Sequence, residues 1–458
     1  MSNVMTCEIP LNEIKQYILA NVELQRQDLA TARLLMQGAP GSGKSDIMRQ
    51  ICEENGWVLS VKYLSNMSLE QVTGIPCRVE SGETASWTRP ELFTFNNPEY
   101  APEAYLQAEK EYAAAKTPEE KAAADETKNK FTKVLLIDDF HLADRIMQKY
   151  LFQVLTYKSL NGYSLPPNTA ILLAGNRSTD KALANPVPAP IMNRMSVFQV
   201  TTTPEDWLEN FAFKNNVRGD ICSFIHRRGE FLAQEPIESA AWASPRSWTF
   251  LSRQMDVFEK MFGSLEINKL KELANGLIGP ECTSEFIAYR ELFAKWDFDQ
   301  LSKMTIENLI PMFEDEASNN PTSVYAIVTS AVNWMIQTFR NENMVVTDKV
   351  KFAINYTYEV LSNMAVMKSK NNVAIKPLVI AGTKYINLFQ KSMQNTIKDH
   401  NTLREMDKLL ELFMLNMEKK RDTDWVFYGI LSEIWEIPYD DGDEEEIAAA
   451  EQRISKRR

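Results

Sequence analysis

Gly38, Ala39, Pro40, Gly41, Ser42, Gly43, Lys44 and Ser45 stand in the order G-x-x-x-x-G-K-S, a spacing suited to cradling the phosphates of a nucleotide. Each residue type has a task. Glycines let the chain turn tightly, so that freed backbone N–H groups converge on the β-phosphate. A helix opening at this point adds the positive end of its dipole. Lys44 brings a point charge to the β- and γ-phosphates, and the Ser45 hydroxyl is placed to ligate Mg²⁺. Asp46 closes the cofactor-binding stretch. A second pair of reactive groups, Asp138 and Asp139, ends the apolar run Val134-Leu135-Leu136-Ile137. Carboxylates at such a strand end, downstream of a phosphate loop, are where Mg²⁺ and the attacking water are handled. A third is the amide of Asn176 at the end of Ala170-Ile171-Leu172-Leu173-Ala174-Gly175. It can reach the γ-phosphate or its attacking water, or it can simply close a turn.

These groups need a parallel sheet to hold them. Ala32–Met36 reads as the strand before the phosphate loop, and Asp46–Ile51 as the first turns of the helix after it. The unbroken apolar runs 134–137 and 170–174 are those of strands buried on both faces, whose carboxyl ends gather ligands. Trp57–Tyr63 predicts a further strand, and 72–87 two short strands about a Ser81-Gly82 turn. Asn161-Gly162 predicts a type I′ hairpin. Residues 8–27 read as an amphipathic helix with Leu11, Ile14, Ile18 and Val22 on one face. The segment from about Asp144 to Tyr157 reads as another, with Ile146, Tyr150, Leu151 and Val154 inward. Between 101 and 131 the composition turns to Ala, Glu and Lys, and Thr117-Pro118-Glu119-Glu120 sets a capping box between two short solvated helices. Beyond Pro204 the pattern is helical, with stripes at Val324, Ile327, Val328, Ala331, Val332 and Met335 and at Met406, Leu409, Leu410, Phe413 and Met417. The expected division is an α/β nucleotide-binding domain over 1–204, a helical lid over 205–295, a helical region over 296–439 and a charged tail over 440–458.

A net charge of −12 and a pI near 5.1 argue against a general affinity for nucleic acid or anionic membrane. Five cysteines without a C-x-x-C pair predict reduced thiols. No apolar run approaches the ~20 residues of a membrane helix, and the first residues carry no signal pattern. The expectation is a cytoplasmic protein.

In this order the segments resemble the AAA+ ATPases, within them the MoxR-type, dynein-related branch, from about Leu34 to at least Arg253. Val72–Pro76 with Trp87-Thr88-Arg89-Pro90-Glu91 is similar to that branch's insertion in its second helix, and the Asn161-Gly162 hairpin to its insertion before sensor 1. Leu173–Arg177 resembles the sensor 1 segment, Pro190–Met195 the segment carrying an arginine finger, and Ala243–Trp248 the start of the sensor 2 helix. The resemblance implies an α/β P-loop AAA+ domain followed by an α-helical lid and an α-helical C-terminal region. It implies ATP and Mg²⁺ as cofactors, with Ser45 and Asp138 holding the metal and Asp139 and Asn176 orienting water. Arg194 would act on a neighbouring subunit's γ-phosphate in a homo-oligomeric, hexameric ring, and Arg246 would face the nucleotide from the lid. One departure stands out. The family usually carries Asp-Glu where this chain has Asp138-Asp139, although replication-initiator AAA+ proteins also carry Asp-Asp.

The first functional expectation is an ATPase that remodels a protein client like a chaperone, with a separate von Willebrand A domain partner and no membrane. A nucleic-acid motor or loader is the second; acidic composition and the lack of a long Lys/Arg stripe count against it. A nucleotide-gated scaffold with little turnover is the third.

Overall fold

Aliphatic runs without polar alternation must be covered on both faces, and in the computed structural model they are. The structure describes residues 8–408 apart from 30, 79–84, 96–97, 178–186, 236–239, 320, 366–374, 395 and 398. Its strands are β1 (Glu8–Pro10), β2 (Arg33–Gln37), β3 (Val58–Tyr63), β4 (Pro76–Arg78), β5 (Ala85–Trp87), β6 (Lys133–Asp138), β7 (Ser159–Leu160), β8 (Tyr163–Ser164), β9 (Thr169–Gly175) and β10 (Met195–Thr201). Six of them form one sheet in the order β1-β10-β2-β9-β6-β3, every pair parallel. The helices around it are α1 (Ile14–Arg26), α2 (Lys44–Asn55), α3 (Leu69–Thr73), α4 (Glu103–Ala114), α5 (Pro118–Asn129), α6 (Arg145–Tyr157) and α7 (Ala189–Met192).

Side chains alternate along each strand, so successive residues enter opposite layers. Leu34, Met36, Val134, Leu136, Leu172 and Ala174 pack with Ile14, Ile18 and Val22 of α1 and Ile47, Met48 and Ile51 of α2. Leu35, Leu135, Ile137, Ile171 and Leu173 pack with Val72 of α3, Tyr105 of α4 and Met147, Leu151 and Val154 of α6. This is the α/β fold expected, a parallel sheet between two helical layers with a helical region after it.

The first helix differs from the expectation. Residues 8–10 form the edge strand β1, paired with Gln199–Thr201, and the helix begins only at Ile14. Pairing with a strand nearly 200 residues away is invisible to local periodicity. Ile146 also differs, pointing outward at 54% exposed while Leu151 and Val154 of the same helix are buried. Met147, four residues before Leu151, takes the inward position and turns Ile146 about 100° away from it, within the turn that Asp144 caps. The Asp144 side chain accepts from the N–H groups of Ile146 and Met147, which makes Ile146 the second residue of the capped turn.

The described backbone gathers into two compact units. The first runs to Asp206 and takes in Ala233–Ser247; the second takes Trp207–Leu232 and continues from Trp248. The second unit is helical. Val324, Ile327, Val328, Ala331, Val332 and Met335 are buried in it along the helix Pro321–Asn341. Phe224 packs its ring against Phe231, Trp248, Phe286 and Tyr289. Asp220 is buried between Arg218 and Arg290, which hold its carboxyl below the usual range against the cost of burial. Leu409, Leu410, Phe413, Met417 and the tail 440–458 lie outside the described residues.

Two hairpins rise from the first unit. β4 pairs with β5, and β7 with β8 across Asn161-Gly162, both at positive φ. The Asn161 amide donates to Thr73 O at 2.8 Å, and the Tyr163 hydroxyl to Trp87 O at 2.7 Å. The second bond ties one hairpin to the other, and the first ties the β7–β8 turn to the end of α3, from which the β4–β5 hairpin departs. The expected Ser81-Gly82 turn lies outside the described residues. In the 101–131 segment the capping box forms between Thr117 and Glu120.

Candidate functional site

β2 ends at Gln37 and α2 opens at Lys44, so Gly38–Gly43 make the turn between them. Gly41 and Gly43 hold φ of 75° and 91°, the left-handed region that glycine enters without cost. A Cβ on Gly38 would stand 2.8 Å from Val200 O and 2.9 Å from its Cγ2, so only glycine fits there. Asp46 lies exposed in the first turn of α2, where its charge suits the helix dipole. Ala39 and Pro40 are half-buried along the loop.

Lys44, 7% exposed, curls back over this loop. Its Nζ donates to Gly38 O at 3.0 Å, Ala39 O at 2.9 Å and Asn176 Oδ1 at 3.3 Å. The buried Ser42 Oγ has no hydrogen-bond partner. A buried cation and an orphaned hydroxyl, both beside a glycine cradle, fit an anionic phosphate. Ser45 Oγ donates to Asp138 Oδ2 at 2.5 Å, which brings two hard oxygens to one point. Among the described residues no cluster of three or more His, Cys, Asp or Glu could hold a metal unaided. Two oxygens suit Mg²⁺, which takes one or two protein ligands and completes its shell with phosphates and water.

Asp138 also accepts from the Asp139 N–H at 2.9 Å, and Asp139 itself turns left-handed at φ 47°, ψ 32°. Burial, then the adjacent Asp138 carboxylate, push the Asp139 carboxyl up; His141, Lys44 and Arg246 oppose them. Arg246 is exposed, but its backbone is close. A Cβ on Gly41 would meet Arg246 Cβ and Ser244 Oγ at 3.2 Å each, and the Ser244 and Ser247 hydroxyls and N–H groups bond one another in the turn beneath.

Lys44, Ser45, Asp138, Asp139, Asn176 and Arg246 are thus brought together at the carboxyl edge of the sheet. Arg194 is not. It precedes β10, and its carbonyl accepts from Arg33 N at the amino end of β2. One strand's length, ~15–20 Å, separates it from its own phosphate loop. There its Nε donates to Thr156 Oγ1 at 3.0 Å and its Nη1 to Pro190 O at 2.8 Å, with the guanidinium 4.2 Å from the Phe152 ring centre.

Sequence reasoning missed His141. It is 4% exposed and lies beside Asp139, and its Nε2 accepts from the Asn176 N–H at 3.3 Å. The available signal was its place three residues after Asp138, in the loop that must run past the next strand tip.

Among the described residues no helix is long and apolar enough to cross a membrane. No family model matches the sequence, and no curated protein matches it. Solved structures similar to this chain include the Thermotoga maritima RuvB Holliday junction branch migration motor, at 10% identity and a TM-score of 0.29, over 61% of this chain and 69% of that one. A point mutant of the same RuvB is similar at 11% identity and a TM-score of 0.31, with the same coverage of both chains.

Proposed function

We propose that this chain is an ATP-binding and ATP-hydrolysing AAA+ ring protein of MoxR type that remodels a protein client, working with a separate von Willebrand A domain partner. The observation that carries the reading is the meeting of Lys44, Ser45, Asp138 and Asn176 around a glycine cradle with an orphaned Ser42 hydroxyl.

Mg²⁺-ATP, when bound, supplies the scissile phosphoanhydride and the charge of the transferring phosphoryl group. The P-loop amides and Lys44, whose Nζ lies on the loop carbonyls of Gly38 and Ala39, would neutralise phosphate charge. Ser45 and Asp138 would hold the metal. Asp139 would orient and polarise the attacking water, assisted by Asn176. Arg246 adds charge near the loop. Arg194 lies too far from its own loop to act there, which supports a role on a neighbouring subunit and hence a ring, taken as hexameric by resemblance. The exposed β4–β5 hairpin, tied to β7–β8, is the part offered to a client. Residues 205–295 are taken as the lid and 296–439 as the helical region that follows it in the chain.

Two inactive variants test the ring. Lys44→Ala loses nucleotide affinity; Arg194→Ala keeps it and loses hydrolysis, by ~10³-fold or more. Mixing them restores activity at interfaces that pair an intact Arg194 with an intact loop. No rescue at any ratio, with the wild type active as a monomer, refutes the trans assignment. Unchanged nucleotide affinity in Lys44→Ala refutes the site. Stimulation of hydrolysis by DNA would move the reading to a nucleic-acid motor.

A further inference from the structure

The loop after Asp138 carries a side chain to which the mechanism above gives no task. Asp139 reverses the backbone through the left-handed region, and the single turn Phe140–Leu142 then swings His141 under the tip of β9. The ring is almost wholly buried, and it stands edge-on to Phe140, centroids 5.8 Å apart and planes at 86°. Its Nε2 accepts from the backbone N–H of Asn176 at 3.3 Å. The same ring fills the place a side chain at position 175 would take. A Cβ on Gly175 would stand 2.3 Å from Nδ1 and 2.6 Å from Cε1.

Two consequences follow from this geometry. The bond is to the backbone of the sensor segment, so it fixes the peptide that aims the Asn176 side chain, whatever that side chain contacts. At its other end the Asn176 Oδ1 accepts from Lys44 Nζ at 3.3 Å. A single chain of contacts therefore runs from the Asp139 loop through His141 to Asn176 and on to the phosphate-binding lysine.

We propose that His141 is a positioning residue that couples the water-orienting loop to the amide facing the γ-phosphate, so that Asp139 and Asn176 move as one when that phosphate arrives or leaves. This rests on the nucleotide reading of the site. His141 touches no reacting atom in this account. It acts through the placement of two groups that do, and a misplacement of about 1 Å can cost ~10²-fold in rate.

The test uses side chains that differ in reach but not in polarity. In His141→Gln the amide oxygen extends as far as Nε2 and can accept from Asn176 N–H; in His141→Asn it stops one methylene short. Single-turnover hydrolysis of ATP and equilibrium binding of ADP are measured on both, beside wild type and Lys44→Ala. The expected result is a ~10–10²-fold loss of hydrolysis in His141→Asn, a rate within about threefold of wild type in His141→Gln, and ADP affinity unchanged in both. Gly175→Ala, which pushes the ring away, should lose hydrolysis like His141→Asn. Equal rates in His141→Asn and wild type overturn the proposal. So does an equal loss in Asn and Gln accompanied by weakened ADP binding, which marks a packing role only. If wild type and Lys44→Ala bind ADP alike, the nucleotide reading itself fails and the coupling with it.

Discussion

Replacing Asp139 by Asn and by Glu separates three properties of one side chain: charge, reach and backbone conformation. Asn removes the charge and keeps the shape, and it tolerates the left-handed φ of 47° as well as Asp does. Its fold should therefore be unchanged and its nucleotide affinity retained. The loss falls on chemistry, ~10²–10⁴-fold if the carboxylate is the group that takes up the water's proton in the transition state. Glu keeps the charge and adds one methylene of reach, so turnover should equal or exceed that of wild type. It pays in conformation. The left-handed region costs ordinary L-residues ~1–2 kcal/mol, and Asp and Asn escape most of this by bonding locally. A destabilisation of about 1 kcal/mol moves the unfolding midpoint of a ~200-residue unit down by ~2–4 °C. Single-turnover hydrolysis and calorimetry of the three proteins read both effects. An Asn variant that hydrolyses at the wild-type rate removes Asp139 from the mechanism. A Glu variant as stable as wild type shows that the left-handed backbone is not what keeps the shorter acid here.

In the helical unit, a Cβ on Gly382 would stand 1.9 Å from Val328 Cγ1. Gly382→Ala should overpack this core by ~1–3 kcal/mol, and an unchanged unfolding midpoint would refute the tight fit. His226 bonds the Tyr325 hydroxyl through Nδ1 at 2.7 Å, and burial, then Lys384, push its pKa from 6.5 down to about 4. The folded state thus prefers the neutral ring. Its contribution is complete above the unfolded value and is lost as pH falls from 6.5 through about 4, by at most ~3 kcal/mol. Denaturant titrations of wild type and His226→Gln across that window should differ in slope by up to one proton; parallel curves refute the shift. Asn161→Gly keeps the positive φ and deletes the bond to Thr73 O, whereas Asn161→Ala loses both. Losses of ~1 kcal/mol for Gly and ~2–3 kcal/mol for Ala are expected from thermal unfolding, and equal values would mean the turn conformation carries no cost.

What the sequence made legible is what chain-local chemistry decides. The phosphate loop, the Asn161-Gly162 turn and the Thr117 capping box are each complete within eight residues, so their forms could be read directly. The apolar runs 134–137 and 170–174 showed burial on both faces because no polar residue interrupts them. The edge strand β1 and the exposure of Ile146 were hidden, since one depends on a distant partner and the other on Met147 taking the inward place one turn before Leu151. His141 was hidden for another reason. A lone histidine acquires meaning only from the strand tip above it, and Gly175 leaves that space open without announcing what fills it.

The tie between the two hairpins is one-sided in its chemistry. Both donors are side chains of the second hairpin, Asn161 and Tyr163, and both acceptors are main-chain carbonyls, of Thr73 and Trp87. A carbonyl is present whatever residue bears it. Pro76, Cys77, Arg78, Ala85 and Ser86, all exposed on β4 and β5, can therefore be exchanged without loosening the mount. The first hairpin is free to change what it displays, while two residues of the second keep it in place. Grafting a foreign sequence onto it between Ile75 and Trp87 is the modification this scaffold is built to accept, with Gly74 kept because a Cβ there would stand 2.1 Å from Thr88 O.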